Sequence, residues 1–104
     1  MTLTGRVAGA PISWGVCEVP GWGHQMTPER VLSEMRAAGL GATELGPEGF
    51  LPPTRARALL AKNDLQLVAG FVPAVLHEVA ELRGGLDAVA ACADLIADLG
   101  GQVL

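Results

Sequence analysis

The chain has 104 residues, half of them apolar and 17% charged, with a formal net charge of −4. One domain at most is expected, with a packed core; an extended disordered chain is excluded. No Lys/Arg cluster offers a footprint for nucleic acid or an anionic membrane, so the expected partners are small molecules or proteins, with no nucleic acid and no membrane.

Taken from its start, MTLTGRVAGAP carries one positive charge and an apolar stretch cut short by Pro11. Neither a signal peptide nor a membrane span is expected. Val7 to Ser13 is the predicted first strand, with Pro11 near its end or at a bulge. About a dozen irregular residues follow, holding Cys17, Glu18, Trp22 and His24. Thr27-Pro28-Glu29 then reads as N-cap, first-turn proline and first-turn acid, and Val31, Leu32, Met35 and Ala38 recur at helical spacing until Gly39. Ala42 to Leu45 is a second strand, and GPEGFLPP after it is a loop. Thr54 is expected to cap a second helix, Arg55 to Asn63, with Leu59 and Leu60 inward. Leu65 to Val72 is the third strand. Pro73 to Arg83 reads as loop with some helix, interrupted at Gly84-Gly85. From Leu86 a further helix is predicted, with Leu86, Val89, Ala90, Ala93, Ile96 and Ala97 as its apolar stripe and Asp87, Asp94 and Asp98 opposite. Gln102-Val103-Leu104 opens a fourth strand. Cys17 and Cys92 lack any CxxC spacing, which suits reduced thiols and a cytoplasmic location.

The order β, α, β, α, β, α, β suits parallel strands crossed over by helices, in either a doubly wound open sheet or a (β/α)8 barrel. Both carry their chemistry on the loops that leave the carboxyl ends of the strands. Those loops, Trp14 to Met26, Gly46 to Pro53 and Pro73 to Gly85, are much longer than the opposite turns and hold both tryptophans and both histidines.

APISWGVCEVPGWG followed by TPERVLSEMRAAGLGATELGPEGFLP resembles the amino-terminal part of the xylose-isomerase-like TIM barrels, the sugar isomerase and epimerase superfamily, and within it the inosose-dehydratase-like group. Three elements carry the resemblance in order: Ala10 to Trp14, Ser33 to Met35 and Glu44 to Gly46. It covers nearly the whole chain and implies an α/β fold, the amino-terminal part of a TIM (β/α)8 barrel. Such barrels need eight strands and roughly 250 residues. Residues 1–104 would supply about three and a half βα units, an incomplete domain truncated at strand four. The resemblance also implies a divalent metal, manganese, cobalt or a similar ion, held by Glu, Asp, His and Glu from later strands. No metal ligand and no catalytic residue is assigned within these residues.

Five residues are the candidates for substrate contact. Trp14 ends the first strand at the mouth of the expected barrel, where its ring would be a pocket wall; the alternative is a core tryptophan whose indole N–H finds a carbonyl. Glu44 ends strand two as an acceptor for a substrate hydroxyl or an anchor behind the site; the alternative is a buried ion pair. His24 is a lid residue or polar contact, with Trp22 packing its loop onto the rim. Glu48 is substrate-facing or solvated, like its neighbour Phe50. His77 reaches the same mouth or lies on a surface turn. Cys17, Glu18 and His24 have no repeated spacing and give only a weak metal signal. Gly39-Leu40-Gly41 precedes a strand instead of following one, which rules out a dinucleotide fingerprint. Cys92 is a small packing residue.

The expected function is a metal-dependent enzyme acting on a sugar or polyol, best matched by an inosose-dehydratase-like lyase that works through an enediolate and is inactive as these 104 residues alone. One alternative is a sugar or sugar-phosphate isomerase or epimerase of the same superfamily. The other is a non-catalytic α/β interaction module, self-associating through exposed sheet edges.

Overall fold

Gly9, Thr43 and Leu67 stand side by side in three short parallel strands. In the computed structural model, which describes residues 7–104, these strands are β1 (Ala8–Gly9), β2 (Ala42–Glu44) and β3 (Gln66–Ala69), paired in the order β1-β2-β3. The expected absence of a leader concerns residues 1–6, which lie outside the described residues. Sequential parallel strands joined by right-handed crossovers place their helices on one face of the sheet. Gly9, Thr43 and Leu67 are buried on that face, while Ala8 and Glu44 alternate to the other and are exposed.

β1 is shorter than Val7 to Ser13. Pro11 has no N–H for a ladder, and Pro11–Trp14 instead forms a 3-10 turn with Pro11 buried at its start. α1 (Pro28–Ala37) follows, capped by the Thr27 hydroxyl, which accepts from the Arg30 N–H at 3.3 Å. It presses Val31, Leu32 and Met35, all fully buried, onto the sheet. α2 (Pro53–Lys62) begins two residues before the predicted Arg55, and Thr54 is not its cap. Pro53 holds a helical φ and needs no acceptor, and the Pro52 carbonyl receives the N–H groups of Arg55 and Ala56 at 2.9 and 2.8 Å. Ala56, Leu59 and Leu60 are its buried face.

β3 ends at Ala69, three residues before the predicted Val72. A bulge there sets Thr43 opposite Leu67 but Glu44 opposite Ala69. The fourth strand is present as a parallel bridge between Ala69 and Val103, with the Gln102 N–H donating to Val68 O at 3.2 Å and the Gly70 N–H to Val103 O at 3.0 Å. Its first pairings therefore extend the order of the sheet without reversing it.

The last helix, α3 (Val79–Asp98), starts seven residues before the predicted Leu86 and runs straight through Gly84-Gly85. A side chain at Gly85 would stand 3.3 Å from Ala74 Cβ, so glycine there lets the preceding loop lie against the helix. Contact with that loop also rotates the apolar stripe. Val89, Cys92, Ala93, Leu95, Ile96 and Leu99 turn inward to varying degrees, whereas Leu86 is 51% exposed and Ala90 and Ala97 face solvent. Asp87, Asp94 and Asp98 are exposed as expected. At 20 residues against ten in α2, α3 is longer by about 15 Å, and its amino-terminal half overhangs the carboxyl-end face of the sheet.

Exposed ion pairs join neighbouring helices. Glu29 at the start of α1 meets Arg55 at the start of α2; Arg36 meets Asp64 at 3.2 Å; Arg57 meets the Asp98 carboxylate at 3.1 Å and donates to its carbonyl at 2.6 Å. Exposed pairs contribute little to stability, being screened by solvent. They align helices that the apolar core holds.

Leu32→Ala, at a fully buried site, is expected to cost about 2–5 kcal/mol, measured as a lowered denaturant midpoint with an unchanged slope. A hydrogen bond from its own backbone N–H and the Arg55 guanidinium hold Glu29 below the ordinary carboxylate range. A depressed folded-state pKa adds stability that is present above the unfolded value and lost as pH falls through the folded one. Glu29→Gln is therefore expected to lower the melting temperature slightly at neutral pH, with the difference from the parent closing in acid, read from paired thermal melts.

Candidate functional site

The carboxyl ends of the strands open onto three loops, and the first is closed by its backbone. Gly15 takes a left-handed conformation after the 3-10 turn, and the His24 N–H returns to donate to Gly15 O at 2.7 Å. Gly23, at φ +67, permits that closure, since a Cβ there would lie 1.9 Å from the same oxygen. The result is a compact surface loop with adjacent ends. Val16 buries one end of it in the core. Trp22 does not pack the loop onto a rim. It is 70% exposed, and the loop is held by the backbone closure and Val16. The Cys17 thiol points at the carbonyls of Val19 and Trp22, 3.8 Å from each.

The second loop turns at Pro47, whose carbonyl receives the Phe50 N–H at 3.0 Å, and buries Phe50 and Leu51. Phe50 is thus a packing residue. Between the two loops lies an open cleft of about 580 Å³ with Val16, Met26 and Phe50 among its apolar walls and Cys17, Glu18 and Glu48 as polar ones. A second hollow of about 420 Å³, around Arg57, Leu60, Leu65 and Leu99, lies away from these loops, between α2 and the end of α3.

Trp14 is half-buried against the core, and its indole N–H donates to Glu34 Oε2 of α1 at 2.7 Å. The acceptor is a carboxylate on the neighbouring helix. Glu44 stands exposed at the end of β2 on the open face of the sheet, its carboxylate without a hydrogen bond or ion pair among the described residues. The ion pair considered for it is therefore absent there. Glu48 is an exposed wall of the cleft, His24 is exposed at the closure of the first loop, and His77, also exposed, lies 3.6 Å from Glu78 just before α3. Among the described residues no hydrogen bond or ion pair joins any two of these five. They share the carboxyl-end face and do not converge on one point.

Glu34 is the participant that sequence reasoning passed over. Its position was legible: three residues after Val31 and one before Met35, it sits on the flank of the buried stripe, where a carboxylate needs a donor. Cys92 lies against the core in α3, and burial pushes its thiol pKa up, which suits packing better than reactivity.

Among the described residues no three His, Cys, Asp or Glu side chains come together in a way that could hold a metal ion. These residues supply no such donor set, and the ligand set that the resemblance implies belongs to later strands. No helix among these residues is long and apolar enough to cross a membrane.

The described chain is a small α/β unit with a sequential parallel sheet and long loops at the strand ends, an arrangement compatible with part of a (β/α)8 barrel. No family model matches it. It is similar to the inosose dehydratase of Geobacillus kaustophilus (strain HTA426), 33% identical over 95 residues that make up 91% of this chain and 31% of that protein. It is also similar to the rhizopine catabolism protein MocC of Rhizobium meliloti, 31% identical over 97 residues, 93% of this chain and 30% of that one. The chain spans about a third of the length of these curated relatives.

Gly23→Ala is expected to open the first loop, because the Cβ clashes with Gly15 O and the left-handed φ is strained by about 1–3 kcal/mol. Hydrogen exchange checks this: the His24 amide loses protection while those of α1 keep theirs.

Proposed function

We propose that these residues are the first three βα units and the opening of the fourth strand of a (β/α)8 barrel acting on a sugar or polyol, and that its reaction is of the inosose-dehydratase type, loss of water from a polyhydroxy ketone. The observation that carries the reading is the sheet. Its strands are parallel and strictly sequential through Val103, so within it there is no reversal of order and none of the switch-point crevice that serves a doubly wound fold. The similarity to inosose dehydratase supports the choice of reaction.

Loss of water beside a ketone needs a base for the proton next to the carbonyl and an acid for the departing hydroxyl. In this reading the chain's own residues bind and orient. Trp14 forms a wall; Glu44, exposed at a strand end, accepts from a substrate hydroxyl; Glu48, His24 and His77 supply polar contacts from the loops. The base, the acid and the ligands of a divalent metal such as manganese or cobalt lie outside the described residues. Isomerases and epimerases share the same first proton abstraction, so the assay must separate them.

A second reading rests on the edges of β1 and of residues 102–103, which have no further strand partner among the described residues, and on exposed Phe71 and Leu76. Such edges pair with another chain unless covered, and a non-catalytic module associating with itself would use them.

The 104-residue chain with added manganese or cobalt is expected to turn over neither inosose nor a ketose. Substituted for the matching third of the Geobacillus kaustophilus inosose dehydratase, it is expected to support water loss from inosose, followed by product analysis. A folded chimera that only interconverts ketoses would move the assignment to the isomerases. Turnover by the 104 residues alone would overturn the division of the site, and a stable, inactive dimer of this chain that exchanges no partner would favour the module.

A further inference from the structure

We infer that Glu34 is the positioning residue for Trp14, holding the indole so that a ligand on the carboxyl-end face meets the carbon surface of the ring and not its N–H. The inference rests on the reading of Trp14 as a pocket wall. An indole has a single polar atom, and that of Trp14 donates to Glu34 Oε2 at 2.7 Å across 20 residues of chain. The distance is in the range of hydrogen bonds to an ionised acceptor. The other carboxylate oxygen, Oε1, receives Arg30 Nε at 3.2 Å, and the Arg30 backbone N–H donates to the Thr27 hydroxyl that caps α1. Each oxygen of Glu34 thus has its own donor. Turning the carboxylate breaks both bonds, and turning the indole breaks one and leaves a half-buried carboxylate underpaired, which is unfavourable.

The chemical consequence concerns what Trp14 can recognise. With its N–H engaged by Glu34, the ring offers only its π face and C–H edge. A cyclic polyol with mainly equatorial hydroxyls presents a continuous patch of axial C–H groups and matches that surface. An acyclic polyol, which presents hydroxyls on every side, does not. Glu34 therefore biases the site toward rings without touching the ligand.

The test uses the 104-residue chain with Trp22→Phe, which leaves Trp14 as the sole tryptophan. Acrylamide quenching and fluorescence anisotropy of Trp14 are compared in Glu34→Gln and Glu34→Leu, each then titrated with myo-inositol and, as the acyclic control, mannitol. Glu34→Leu is expected to increase quenching, lower anisotropy and weaken myo-inositol binding about fivefold, the equivalent of one lost hydrogen bond, whereas Glu34→Gln keeps an acceptor and stays near the parent. Arg30→Leu removes only the second donor and is expected to shift quenching and anisotropy less, in the same direction; it serves where Glu34→Leu does not fold. Unchanged quenching and anisotropy in folded Glu34→Leu, or myo-inositol binding that survives its mobilised ring, overturns the inference. A mobilised ring in Glu34→Leu, with no response to myo-inositol in the parent, supports the positioning role and overturns the pocket-wall reading of Trp14.

Discussion

The parallel pairing of β2 with both its neighbours, with Thr43 fully buried between Gly9 and Leu67, sets the position of everything that reaches the carboxyl-end face. Side chains alternate along a strand, so a slip of one residue would carry Thr43 to the open face and drive the Glu44 carboxylate under the helices. The core of α1 and α2 resists that slip. The Thr43 hydroxyl is satisfied locally, donating to the Glu44 carbonyl at 2.8 Å, so the buried position carries no open polar group. With this register held, Glu44 leaves the sheet on the open face and Leu45 returns to the core. The second loop then starts from a fixed point beside the first.

The two loops around the cleft are made rigid by different means. The first is drawn shut by one backbone bond between His24 and Gly15, and it is tied to α1 through the indole of Trp14. The second is nailed down by its own apolar residues, Phe50 and Leu51. Neither depends on a charge cluster, and the carboxylates of Glu18 and Glu48 are left to line the cleft. Fastening is thus apolar or through the backbone, and the polar groups of the cleft are left free of it.

Much of the fold could be read from local patterns, and the errors share a cause. α1 was legible end to end because Thr27-Pro28-Glu29 and the spacing of Val31, Leu32 and Met35 are local signals. β1 is shorter than its apolar run because the sequence shows Pro11 but not where it is needed, buried at the start of a turn. α3 is longer than its local pattern because Gly84-Gly85 reads as a break until the loop that packs against Gly85 is in view. The stripe differs from the predicted one for the same reason, with Leu86 outward and Leu99 inward, while Cys92 packs as expected. In the candidate site, the strand-end position of Glu44 followed from the strand itself. The partner of Trp14 lies 20 residues away, and only the helical flank it occupies hinted at Glu34. Tertiary contacts decided each case that local propensity left open.

The overhang of α3 has a further consequence for the site. Its carboxyl-terminal half is fastened to β3 through Ile96 and to α2 through Arg57 and Asp98. Its amino-terminal half carries two glycines and exposes Val79 at 89% and Leu86 at 51%. Each glycine inside a helix weakens it by about 1 kcal/mol relative to alanine. One continuous helix thus contains two segments of unequal packing, the well-buried one on the sheet and the exposed one toward the strand-end loops.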